Sequence, residues 1–280
     1  MLDTFNIIKA PEHALNMLIE VRHTTSFIRE HKLWKGFWSN RWMAIVSILL
    51  SVLLSVWLFD DLFPSHLAAV DLPDDLGKEL TNKNGIIAKE VLKESKAGAI
   101  SSGTKYTLLI ILEVIIFHFS VNTLNILSKG DAKPKFKEFY NAEIRMIKIL
   151  FESFFKGYAA NIVLPILLGL VGLKFLSPYL MFFVYAYFMG YSFIDNYNEQ
   201  FNIDIKTSLL KVRKHVGAAV ALGVVVNIII FIPFIGPVFA PIFGAVAGTL
   251  YSYKYNVQLE VVPKQMSKKE KKKLKKSGMV

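Results

Sequence analysis

The sequence predicts an all-α integral membrane protein: two transmembrane helices, two Pro/Gly-broken helical hairpins that are re-entrant or short-spanning, and amphipathic cytoplasmic helices. Three observations predict it. Five stretches (42–59, 106–127, 158–173, 175–194 and 216–253) carry almost no charge. A helix on a soluble core keeps one wet face, and these stretches have none. The later hydrophobic regions are interrupted by prolines and glycines, at 173–178 and 233–237. Cations crowd the segments between the apolar runs, as the positive-inside rule expects of cytoplasmic loops. Whole-chain totals are a weaker signal: 53% hydrophobic, 20% charged and a mean hydropathy of +0.41.

Residues 1–41 read as an interface-lying amphipathic segment. Leu15, Leu18, Ile19, Leu33, Trp34, Phe37 and Trp38 interleave with Arg22, Arg29, Lys32, Lys35 and Arg41, and tryptophan beside cations suits the headgroup region. No cleaved signal peptide is expected, because a charged, aromatic segment precedes the first apolar stretch. The first span is 42–59. An acid-rich insert at 60–105 follows, with eight acids and six lysines. The second span is 106–127. Over 128–157, Phe136, Phe139, Tyr140, Ile144, Ile147, Leu150, Phe151, Phe154 and Phe155 recur at helical spacing. This predicts an amphipathic helix lying on the membrane or continuing the second span into water.

Each hairpin arm is about 16 residues, ~24 Å of helix, against roughly 30 Å of hydrocarbon. The tips carry only Lys174 as charge, which is wrong for an aqueous loop, so re-entrant hairpins are preferred over four ordinary spans. Lys and Arg number six in 1–41, seven in 128–157 and four in 195–215. Both termini, 128–157 and 195–215 are therefore expected in the cytoplasm and 60–105 outside. The expected organisation is one membrane-embedded domain, 1–262, and a disordered Lys-rich tail, 263–280. Of the net charge of +11, the segment 264–276 supplies eight lysines less one Glu, or +7, leaving +4 elsewhere. Basicity this local argues against nucleic acid. The tail either binds anionic lipid or is a solvated, topology-fixing end.

Polar groups inside the apolar runs are the first candidate functional residues. Glu113, His118, Asn122 and Asn125 lie in the second span, the last three at i, i+4, i+7 on one stripe. Such groups line a water path or proton relay, or hydrogen-bond between helices. Gly244 and Gly248 have a GxxxG spacing that suits close packing. Asp195, Asn196, Asn198, Glu199, Asn202 and Asp204 are oxygen-rich but lack the EF-hand pattern. They read as a solvated cytoplasmic loop capping the next helix. No metal is expected: the six histidines are scattered and cysteine is absent. No nucleotide, cofactor or catalytic motif appears, so neither an enzyme nor ATP-driven transport on this chain is expected.

Several motifs resemble the CysZ sulfate-permease family, which is grouped with etoposide-induced protein 2.4. They are "YSFIDNYNEQFN" (191–202, with Asp195 and Asn196), the basic "KTSLLKVRKH" (206–215), and "IPFIGPVFAPIFGAVAGTLYSY" (232–253). The last contains Pro233, Gly236, Pro237 and Pro241. The resemblance covers roughly 30–60 and 155–255 and is most specific in the last hundred residues. It implies a helical inner-membrane protein, oligomeric in its bacterial members, that carries sulfate inward for cysteine synthesis. The family's proposed sulfate element, a glycine followed by an aliphatic residue and arginines, matches "KGFWSNRW" at Gly36, with cations at Lys35 and Arg41. The family's Pro-Phe signature after the second span is replaced by "NTLNILSKGDAK".

Two functions follow as expectations. The first is a permease or channel-like protein for a small inorganic anion, sulfate by resemblance, with Lys32, Lys35, Gly36 and Arg41 at its mouth and a homo-oligomer in the bilayer. The second is a non-transport membrane protein of the same family: a scaffold, lipid-organising or quality-control factor.

Overall fold

A computed structural model describes residues 6–34, 113–130, 136–232 and 235–259. The first span, the insert, the tail, Lys35, Gly36, Arg41 and Pro233 lie outside the described residues. Among the described residues there is no strand. The helices are α1 (Ala10–Glu30), α2 (Glu113–Ser128), α3 (Phe136–Leu170), α4 (Ser177–Glu199), α5 (Ile205–Lys214), α6 (Val216–Ile230) and α7 (Gly236–Lys254), with short 3-10 turns at Lys174–Leu176 and Val257–Leu259.

Local chemistry sets the boundaries. Prolines occupy the first turns of α1, α4 and α7, where no amide hydrogen is needed. Asp204 caps α5 by accepting from the Lys206 and Thr207 amides at 3.1 Å each. Four helices end on a residue in the left-handed region. Lys32, Lys129, Gly172 and Asn202 have φ between 50° and 73°. In each case the next amide reaches back five residues, as from Gly130 to the Asn125 carbonyl at 2.9 Å and from Leu173 to Leu168 at 2.8 Å.

Three expectations need correction. The amphipathic segment neither stands apart nor continues the second span. It forms one 35-residue helix with the first hairpin arm, running through an internal Pro165. The first break falls at 171–176 rather than 173–178, because Pro178 opens α4 instead of interrupting it. The second break likewise ends at Ile235, with Gly236 opening α7, Pro237 in its first turn and Pro241 inside that helix.

α4 and α6 form the packed centre. A Cβ on Gly190 would overlap the Ala219 carbonyl, and one on Gly223 the Ala186 carbonyl. These two contacts fix the pair as antiparallel. Arg145 meets Asp195 and Gly157 meets Tyr185, so α3 also runs antiparallel to α4. Ser120 bonds Thr249 and Tyr253 bonds the Leu127 carbonyl, so α2 runs parallel to α7. Both breaks, 171–176 and 231–235, consequently fall at the same end of the molecule. The opposite end, here called the base, gathers the charged segments. α5 turns 95° away from α6 at His215.

The hairpin tips are apolar and exposed. Leu170 is 80% exposed, and Val171, Phe175, Tyr179, Phe231, Ile232 and Ile235 are exposed with it. Tyr140–Leu170 is long and apolar enough to cross a membrane, and Ile205–Lys214 with Val216–Ile230 makes a second if that bent pair is one span.

The N-terminal helix packs on the rest of the chain through a stripe that its apolar residues do not mark. Met17, Glu20, Thr24 and Ile28 are buried, whereas Leu15, Leu18 and Ile19 stay exposed. α1 is strapped to the base at its start and its middle. Ala10 lies against Gly217, and the Glu20 carboxylate pairs with Lys254 Nζ at 2.5 Å. The spacing 17, 20, 24, 28 mixes two polar residues into the packed stripe, and leaves Leu15, Leu18 and Ile19 facing outward.

Candidate functional site

The densest polar cluster lies at the base, where α3, α4 and the start of α5 meet. Asp195 is 1% exposed. The Arg145 guanidinium grips it through Nε and Nη2, each at 2.8 Å, and donates through Nη1 to the Ile203 carbonyl at 2.6 Å. A fork-shaped bidentate bond is the strongest form of this pairing. Glu199 is one helical turn beyond Asp195 on α4, and its Oε2 is 3.7 Å from Arg145 Nε. One guanidinium thus faces two carboxylates. Burial pushes the Glu199 carboxyl up to about 7, with Arg145 opposing the shift and the Asp195 charge adding to it. Asp204 is held below the usual carboxylate range by the hydrogen bonds it accepts from Thr207 and Lys206.

This geometry revises the reading of 195–204 as a solvated loop. α4 continues to Glu199, and Asp195, Asn196 and Asn198 are all buried. Asn198 Nδ2 donates to Ser208 Oγ at 3.0 Å, joining α4 to α5. The capping role does hold at Asp204. Beside the ion pair lies an open pocket of about 530 Å³, lined by Asn141, Ile144, Arg145, Lys148, Glu199, Asp204, Ile205 and Lys206.

Two residues of the stripe on α2 engage each other. Asn122 Nδ2 and His118 Nε2 are 2.8 Å apart on the same helix. Glu113 is 1% exposed at the start of α2. A link across helices is made by Ser120, whose hydroxyl contacts Thr249 Oγ1 and accepts from Gln200 Nε2, both at 2.8 Å. Gly244 and Gly248 pack on Phe193, where a Cβ would stand 2.8 Å and 3.3 Å from the nearest atom. Among the expected anion residues only Lys32 is described, as an exposed residue with φ 50° just past α1. No group of three or more His, Asp or Glu suited to a metal occurs among the described residues.

Sequence reasoning missed Arg145 and Lys148, which it counted only as the wet face of an amphipathic helix. The available signal was that Arg145 is the one arginine of that segment, a type suited to bidentate carboxylate pairing. No protein-family model, curated protein or solved structure matches the chain.

Proposed function

We propose that this chain is a multi-pass inner-membrane protein that passes a small inorganic anion, sulfate by resemblance, across the bilayer. The observation carrying the membrane part is the pair of exposed apolar hairpin tips at one end, opposite a base holding Arg145, Lys148, Lys206 and the basic turn of α5. Contiguous exposed apolar surface of this kind marks a lipid or protein contact. α4 and α7, at 23 and 19 residues, reach ~35 and ~29 Å from tip to base, close to the ~30 Å of a hydrocarbon core. Transport rests on the family resemblance, on cations at Lys32, Lys35 and Arg41, and on helix ends that lower the desolvation cost of an anion.

A non-transport scaffold of the same family is the second reading. It is favoured by a specific observation: His118 bonds Asn122, Ser120 bonds Thr249 and Asp195 bonds Arg145, so these polar groups serve packing. Sulfate uptake into proteoliposomes separates the two. Saturable flux that falls in Lys35→Ala plus Arg41→Ala is the expected result. Absence of flux, unchanged by that double substitution, rejects the permease and leaves the scaffold.

A further inference from the structure

The basal pocket has an unusual charge inventory. Arg145 and Lys148 project from α3, Glu199 from the end of α4, and Asp204 and Lys206 from the start of α5. Among the described residues, the Lys148 and Lys206 ammonium groups make no ion pair. Arg145 spends three of its five N–H groups on Asp195 and Ile203. A simple anion in this pocket would meet the cations of α3 and Lys206 but also the Glu199 and Asp204 carboxylates. A simple cation would meet the reverse. A ligand carrying both signs satisfies both sets. The size also fits, since small-molecule sites occupy roughly 300–1,000 Å³. Tyr140, Ile147, Phe151 and Phe155 leave an exposed apolar stripe along α3 next to Asn141, Ile144 and Lys148 of the pocket.

We propose that this pocket binds a zwitterionic phosphate ester bearing a primary amine, the chemistry of an ethanolamine phospholipid headgroup. Lys148 and Lys206 take the phosphate oxygens, Glu199 and Asp204 take the ammonium, and the stripe on α3 offers a track for acyl chains. The acyl track, and so the lipid as source, rests on the membrane reading; the headgroup chemistry does not. Glu199, pushed up to about 7 by burial, supports the assignment, because an arriving ammonium replaces its proton. The charges acting on it are those of Arg145 and Asp195, and Lys148, Asp204 and Lys206 line the same pocket.

The test titrates the full chain, in detergent micelles, with glycerophosphoethanolamine and with glycerol 3-phosphate by calorimetry. The amine-bearing ester is expected to bind about tenfold more tightly. Lys148→Ala plus Lys206→Ala, both on exposed positions, is expected to weaken it about tenfold through loss of two charge-assisted contacts. Glu199→Gln is expected to erase the preference for the amine. Equal binding of the two esters, or undiminished binding to the double variant, overturns the proposal. So does failure of the soluble ester to bind together with no enrichment of phosphatidylethanolamine over phosphatidylglycerol in the purified protein. Enrichment of the lipid identifies a membrane source, and binding of the ester without enrichment identifies a soluble one. A chain that alkaline carbonate strips from membranes yet binds the ester loses the membrane reading and keeps this one.

Discussion

Arg145, Asp195 and Glu199 share one charge too few. Asp195 sits at 1% exposure with two bonds from Arg145. Removing one partner of a buried pair strands the other and costs about 3–5 kcal/mol. Arg145→Ala is therefore expected to lower the unfolding midpoint sharply in detergent, and Arg145→Lys to rescue it only in part, since an ammonium cannot reproduce the fork. Glu199 gives a pH signature. Its carboxyl titrates near 7 in the folded chain and near 4.5 unfolded, so the folded state holds the extra proton between those values. Its contribution to stability is complete below about 4.5 and is lost as pH rises through 7. Melting curves across that window should show the decline, and Glu199→Gln should flatten it. Little of this was legible beforehand. Asp195 was singled out as a motif residue, but its partner lies fifty positions upstream, and one sequence gives no sign of that pairing.

At the scale of elements, the helices were readable and their joints were not. Nearly uncharged apolar runs located the arms on both sides of each hairpin. Pro178 and Pro237 looked like breakers, yet each sits in a first turn, where proline costs nothing. Four helices stop instead on left-handed residues, two of them the lysines Lys32 and Lys129, which carry no turn signature. Close packing was anticipated at Gly244 and Gly248 and is tighter elsewhere. Gly190→Ala and Gly223→Ala each force a methyl onto a facing backbone carbonyl, and overpacking of this kind typically costs about 1–3 kcal/mol or more. Gly169→Ala has nothing within 4 Å and should be silent or slightly stabilising in the same melts. If all three substitutions behave alike, the antiparallel register of α4 on α6 is wrong.

At the scale of the molecule, the prediction concerns the apolar tips. The chain should stay with membranes through alkaline carbonate. Aspartate at Phe175 or Ile232 should weaken insertion, by up to about 2.5–3.5 kcal/mol if the site lies at the bilayer centre. Single cysteines at Lys174 and Ile235 suit accessibility labelling, because the chain has no native cysteine and Ile235 is 65% exposed. Gly236 does not, since any side chain there would strike the Ile229 carbonyl. Ready labelling of both from outside would exclude re-entrant hairpins. The sequence by itself determined the all-helical class, the apolar arms and the basic segments, because each is a local pattern of hydrophobicity or charge. Only the tertiary structure decided that both tips share one end, that α1 buries a partly polar stripe, and that Arg145, Glu199, Lys148 and Lys206 converge on one pocket. Those facts depend on helix direction and rotation, set by glycine contacts and ion pairs between residues far apart in the chain.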